Sequence, residues 1–233
     1  MALTIRTGNI FTSSCQTLVN TINCAGVMGA GIALECRLRW PRMHERYLEL
    51  CVAGKIQPGL LWLHKTPERW ILNFPTKKHW RFPTQEQYLH TGLQKLTSSW
   101  QQRGITSIAL PLLGADKGGL NSEQSIALMQ QHLTDLPIPV EIYRYDPKAP
   151  DDLFLQLRRW MQTTDKRLVA EYANLRRNTL DKVLIAMERP EIRQLNQLAY
   201  VEGIGIKTLE KLFVAATSTQ HENATPPNQL QLI

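Results

Sequence analysis

Residues 17–40 read TLVNTINCAGVMGAGIALECRLRW. A β-branched, apolar run ends at Asn23, the glycines Gly26, Gly29 and Gly31 follow, and the chain then passes into apolar residues at helical spacing. A strand, a glycine-rich loop and a helix in direct succession give this pattern. Backbone N–H groups in such a loop, backed by the start of a helix, can face an anion.

Working outward, the same alternation continues up to Asp146. LTIRTGNIF (3–11), TLVNTIN (17–23), GLLWLHK (59–65), WILNF (70–74), SIALPLL (107–113) and VEIYRY (140–145) have the composition of strands. Residues 30–53, 85–103 and 122–135 have the spacing of amphipathic helices. Strands separated by helices need crossover connections, so residues 1–147 are expected to form an α/β domain whose central sheet is largely parallel and covered by helices. PKAPDD (147–152) reads as a linker, 153–215 as a small all-α domain, and 216–233 as a mostly disordered tail.

Composition bounds the function classes. With 233 residues and 43% hydrophobic content, the chain can bury one good core or divide into an ordinary domain and a small one. No apolar run approaches the roughly 20 residues that cross a bilayer, and MALTIRTGNIF lacks the regions of a signal peptide. A cytoplasmic protein with no membrane partner is expected. Cys15, Cys24, Cys36 and Cys51 show neither C-x-x-C spacing nor nearby histidine pairs, so no metal, no disulfide framework and no cofactor is implied. Residues 1–150 carry 16 Lys+Arg against 10 Asp+Glu, and residues 151–233 carry 11 against 10. The surplus suits a polyanion, although solubility explains it equally well.

A second glycine cluster, Gly114, Gly118 and Gly119 in LLGADKGGL, follows a later strand. Two such loops at the carboxyl ends of neighbouring strands make a cleft suited to a diphosphate, or simply two tight turns. Neither has Walker spacing, because no G-K-[ST] follows. Between them, ILNFPTKKHWR (71–81) ends an apolar run in two lysines, a histidine, a tryptophan and an arginine with no acidic residue among them. It is either a solvated basic turn or a basic and aromatic surface for a nucleic acid.

TGNIF, LVNTINCAGVMGAGIA, ILNFPTKKHWR and IALPLLGADKGGL occur in the order and spacing of the macrodomain family. NFPTKKHW resembles the DarG-like DNA ADP-ribosyl glycohydrolase (antitoxin) branch. The resemblance covers residues 1–146 and implies a three-layer α/β/α fold that binds ADP-ribose and removes it from thymidine in single-stranded DNA, reversing a DarT-type toxin. By the same resemblance Gly8, Asn9 and Ile10 lie at the adenine, with Asn9 in place of the usual Asp and accepting the adenine amino group's hydrogen bond through its side-chain oxygen. Asn23 holds the distal ribose hydroxyls. Gly26, Val27, Met28, Gly29, Ala30, Gly31 and Ile32, with Leu113, Gly114, Ala115, Asp116, Lys117, Gly118, Gly119 and Leu120, wrap the diphosphate and distal ribose near Thr76, and Tyr143 stacks on adenine.

Aligned with the family, Lys77 points toward the distal ribose and is the expected catalytic residue, while alternation along an extended segment turns Lys78 the other way. The lysine could stabilise the departing base, protonate it, or attack the anomeric carbon. Lys78, His79, Trp80 and Arg81 are the expected DNA contacts. Two positions depart from the pattern. Gly118 stands where relatives with a lysine mechanism carry Asp, and Asp116 stands where a small residue is usual.

The C-terminal segment resembles the helicase and RNase D C-terminal (HRDC) domain, through LRRW (157–160), TLDKVLIAMERP (179–190) and VEGIGIKTLEKL (201–212). Its glycine turn between helices exposes backbone N–H groups, so Gly203, Gly205 and Lys207 are expected DNA contacts; a helical bundle using the turn only to pack, or a toxin-binding surface, competes. The combined expectation is a macrodomain glycohydrolase acting on ADP-ribosylated single-stranded DNA. Its alternatives are an ADP-ribose reader without hydrolysis and a hydrolase of protein-linked ADP-ribose.

Overall fold

Six strands form one sheet: β1 (Leu3–Gly8), β2 (Thr17–Asn23), β3 (Trp62–Lys65), β4 (Trp70–Lys77), β5 (Ile108–Pro111) and β6 (Val140–Tyr145), in the order β1-β6-β5-β2-β4-β3. Every pairing is parallel except that of the edge strand β3 with β4. The computed structural model describes residues 3–224, and Cα packing divides the chain into two units between Asp146 and Pro147.

In the first unit, side-chain alternation splits the core into two faces. Leu18, Ile22 and Ile71 pack toward Cys36 of α1 (Gly31–Arg39) and toward Met43 and Tyr47 of α2 (Pro41–Val52). Val19, Leu72 and Phe74 pack toward Leu89, Leu93 and Leu96 of α3 (Glu86–Arg103) and toward Met129 and Leu133 of α4 (Ser122–Leu133). A sheet buried on both faces accounts for the near-continuous apolar runs of β2 and β4.

Element boundaries differ from the sequence reading at six places. The single helix expected over 30–53 is two, because Pro41 offers no N–H and Trp40 sits at φ −129°, ψ 71°, outside the helical region. The first strand stops at Gly8, where the Asn9 side chain caps a 3-10 turn at Ile10–Thr12. The strands read over 59–65 and 107–113 are shorter, Trp62–Lys65 and Ile108–Pro111. The strand read over 70–74 instead runs on to Lys77; its Pro75 lies beyond the register with β3, which ends at Asn73, so a residue without N–H is tolerated.

The second unit comprises α5 (Asp152–Thr163), α6 (Lys166–Tyr172), α7 (Arg177–Met187), a 3-10 segment (Leu195–Tyr200) and α8 (Ile206–Ala224). Asp151 is buried, caps α5 by accepting from Leu153 N at 3.0 Å, and accepts from Leu195 N at 2.6 Å. The sixth difference is in α8, which continues through Ala224 into the stretch assigned to a tail. Leu209, Leu212, Phe213 and Ala216 form a buried stripe that carries the helix onward. The rest of the expected tail, 225–233, lies outside the described residues. No described helix is long and apolar enough to cross a membrane.

Candidate functional site

The carboxyl ends of β2, β4 and β5 feed three loops that hydrogen bonds tie together. Cys24 N donates to the carbonyls of Lys77 and Lys78 at 3.1 and 3.2 Å, linking the first glycine loop to the end of β4. Thr84 N donates to Gly118 O at 2.9 Å, linking the segment after β4 to the second glycine loop. The expected glycine clusters and basic segment therefore meet on one edge of the sheet.

Asn23 organises the first loop. Its Oδ1 accepts from Ala25 N at 2.9 Å and Val27 N at 3.3 Å, its Nδ2 donates to Val27 O, and Tyr47 of α2 donates its hydroxyl to Asn23 O at 2.8 Å. The amide expected to hold ribose hydroxyls is thus occupied with shaping the loop. Gly29, Ala30 and Gly31 are exposed, as is Val27, with Gly26 and Ile32 half-buried beside them. Met28, Ile10 and Leu113 are in the core, which leaves only their backbone to reach a ligand. Cys24, at the root of this loop, has its thiol pushed up to about 11 by burial and by Cys51, against the opposing charge of Lys78. The Lys78 charge is thus felt at the root of the first loop.

Lys77 acts toward the second. Between Ile22↔Pro75 and Asn23↔Lys77 the β2–β4 register shifts, with Thr76 as the extra residue of a β-bulge. Bulges of this kind re-aim the side chain that follows. Thr76 itself is buried, its hydroxyl 3.4 Å from Ile22 O, and presents no surface for a ligand. Lys77 Nζ donates to the carbonyl oxygen of Lys117. Burial lowers its pKa from the ordinary lysine value, and the nearby Asp116 carboxylate partly offsets this.

In the second loop Leu120 N closes on Gly114 O at 3.0 Å, with Ala115 and Leu120 forming an isolated bridge and Asp116–Gly118 a 3-10 turn. Asp116 adopts φ +51°, a left-handed conformation that Asp tolerates better than most residues. Gly118 is not left-handed. A Cβ there would lie 2.8 Å from Thr84 Oγ1, so close approach, not backbone geometry, requires glycine. Gly119 is exposed and ends the turn.

The base-recognition residues need correction. Asn9 is 3% exposed, and its Oδ1, expected to accept from adenine, already accepts from Phe11 N at 3.0 Å. The atom without a partner is Nδ2, a donor. Tyr143 is 8% exposed, its ring lies in the core with Ile10 and Phe11, and its hydroxyl donates to Glu141 Oε2 at 3.0 Å. It presents no face for stacking. Gly8 uses its carbonyl to accept from Asp146 N.

Beyond Lys77 the chain builds an aromatic ladder. His79 stacks on Trp80, with centroids 5.6 Å apart, and meets Phe82 at 5.5 Å; the Arg81 guanidinium lies 4.8 Å over the Trp80 ring. Trp80 is 47% and Phe82 64% exposed. Phe82 and Thr84 escaped the sequence reading, since neither belongs to a periodic pattern and only the fold sets them beside the loops. In the helical unit Gly203 adopts φ +80°, with Lys182 Nζ 2.8 Å from where a Cβ would be; Gly205 O accepts from Thr208 N and Leu209 N. Lys207, expected to meet DNA, pairs with Glu210 at 3.1 Å.

The Macro domain family model matches residues 19–129. A DNA ADP-ribosyl glycohydrolase of Thermus aquaticus is 38% identical over 144 residues, 60% of this chain and 40% of the relative. The solved macrodomain of Thermus aquaticus DarG is 37% identical, with a TM-score of 0.58, over 61% of this chain and 97% of that one. Thermosipho africanus DarTG, solved in complex with ADP-ribose, is 30% identical, with a TM-score of 0.58, over 61% of this chain and 42% of that one. The chain thus spans about 40% of the length of the curated relative it matches.

Proposed function

The chain belongs to the macrodomain family, and from that premise we propose that its first unit is an ADP-ribosyl glycohydrolase that removes ADP-ribose from modified single-stranded DNA, thymidine being the expected base. Relatives named for this activity, and one solved with ADP-ribose, support the reading. The observation that carries it is Lys77: a half-buried ammonium at the end of a central strand, suspended between two glycine loops, with no acidic residue adjacent in sequence.

In this reading the diphosphate lies against the exposed backbone of the two loops, where N–H groups are preorganised. Water adds to the anomeric carbon of the distal ribose as its bond to the base nitrogen breaks. The electron pair leaves with the base, and the Lys77 ammonium stabilises that charge before the base takes up a proton. Lys78, His79, Trp80 and Arg81 carry the flanking strand, phosphates on the cations and unpaired bases on the rings. Asn9 Nδ2 meets an acceptor on the purine edge, such as adenine N1, in place of the amino group.

We further infer that the helical unit is HRDC-like and binds single-stranded DNA, through Gly203, Gly205 and Lys207, or a DarT-type toxin. A reader without hydrolysis is the second reading, favoured by the missing carboxylate at Gly118. Calorimetry with ADP-ribose, followed by incubation with thymidine-ADP-ribosylated single-stranded DNA, separates the two. Binding with release of free ADP-ribose supports the glycohydrolase; binding with no release supports the reader, and no binding overturns both.

A further inference from the structure

At Gly118 the second glycine loop packs tightly on one side chain, Thr84. Thr84 holds the loop through its backbone bond to Gly118 O. Its Oγ1 lies where a Cβ on Gly118 would be 2.8 Å away, while Gly114, left-handed at φ +73°, is closed in first by Leu89 and Leu120 and then by the Thr84 Cγ2 at 3.2 Å. Thr84 is 8% exposed, yet Oγ1 has no hydrogen-bond partner. Buried hydroxyls are nearly always paired, and one left alone weakens the fold, so a valine of the same shape would serve packing better. At Gly118 the loop nonetheless gives up a side chain where this hydroxyl lies against its backbone. It touches the residue next to Lys117, whose carbonyl holds the Lys77 ammonium.

We propose that Thr84 is a further ligand-binding residue of the cleft, its hydroxyl pairing with a hydroxyl of the ribose that lies beside Lys77. A hydroxyl both donates and accepts, which matches a sugar hydroxyl better than it matches a phosphate oxygen or an aromatic base face. The pairing satisfies in the complex the atom that is unsatisfied without ligand. The inference rests on the ADP-ribose reading of the site and adds to it a contact that depends on the second sugar.

The test uses the full chain, wild type and the variants Thr84→Val and Thr84→Ser, titrated by calorimetry with ADP-ribose and with ADP, which lacks the second ribose. One neutral hydrogen bond is worth about three- to tenfold in affinity. Thr84→Val is expected to lose about that factor for ADP-ribose and nothing for ADP, while melting without ligand at or above the wild-type temperature. Thr84→Ser is expected to retain affinity. A wild type that binds neither ligand would overturn the site reading itself. A wild type that binds ADP-ribose, with Thr84→Val binding equally well, or losing ADP to the same extent, or melting lower in step with its loss, would overturn the role of Thr84 alone. Serine failing as badly as valine would assign the effect to the methyl packed on Gly114, and would overturn it too.

Discussion

Lys77 Nζ donates to the main-chain carbonyl of Lys117, so the ammonium at the end of β4 is anchored on the loop that follows β5. Its neighbour Lys78 is exposed and acts instead on Cys24, across the first loop. The two adjacent lysines therefore differ in exposure and in partner.

That divergence predicts unequal losses. Lys77→Ala should lower the hydrolysis rate by about a hundredfold to ten-thousandfold while retaining ADP-ribose binding, because its charge acts mainly on charge that develops in the transition state. Lys78→Ala should be milder, since an exposed charge contact is worth little. Single-turnover rates at saturating substrate measure both. Equal losses would mean that the pair works as an undivided basic patch.

The pH dependence separates the roles of Lys77. Burial lowers its pKa below the ordinary 10.5, against the opposing Asp116 carboxylate, so the cation is lost at a lower pH than for an exposed lysine. If the cation stabilises the departing base, the rate should fall as pH rises through that lowered value, and Lys77→Arg should keep part of the rate and flatten the fall. If the neutral amine attacks the sugar, the rate should rise over the same range and Lys77→Arg should be inactive. We expect the fall.

Close packing at the second loop gives a coupled prediction. Gly118→Ala places a methyl about where Thr84 Oγ1 lies and should cost about 1–3 kcal/mol by denaturant unfolding. Adding Thr84→Ala removes that atom, so the double variant should be more stable than the sum of the single losses implies. Additive losses would mean that the two positions do not meet. Gly118→Glu, which also brings a charge to the diphosphate side, should abolish ADP-ribose binding.

A stability effect is expected away from the cleft. Glu141 accepts from Ser13 at 2.7 Å and Tyr143 at 3.0 Å, and pairs with Arg6 at 2.8 Å. Burial alone would raise its pKa, but these partners outweigh burial and the net shift is downward from 4.5. A carboxylate with a depressed folded pKa contributes stability that is fully present above its unfolded value and is lost as pH falls through the folded one. Glu141→Gln should therefore destabilise the protein at pH 7 by about 1–3 kcal/mol, with the difference shrinking below pH 4.5. A difference that persists unchanged in acid would point to packing in place of charge.

How much of this was legible beforehand depends on the range of the interactions involved. The strand, glycine loop and helix at 17–40 are local patterns, and the parallel sheet follows from their repetition. The break at Trp40 is also local, and Pro41 announced it. The bulge at Thr76, by contrast, depends on the partner strand β2, and alternation along β4 alone does not reveal it. The family resemblance places Asn9 at the adenine, yet the 3-10 turn that follows takes its oxygen and leaves only its nitrogen. Tyr143 lies two residues before the end of its strand, but burial beside Ile10 decides its use. Thr84 carries no signal in the sequence, because its meaning comes entirely from a loop some thirty residues away in the chain.

In the proposed function this cleft cleaves the bond between ADP-ribose and a DNA base, and Lys77 carries the step. Full-length wild type and Lys77→Ala would be incubated with one single-stranded oligonucleotide bearing ADP-ribosylated thymidine, and free ADP-ribose and restored oligonucleotide followed over time. The two products are expected to appear together with the wild type and at least about a hundredfold more slowly with Lys77→Ala, although both proteins bind ADP-ribose. No release by a wild type that binds ADP-ribose, or undiminished release by Lys77→Ala, would contradict this reading.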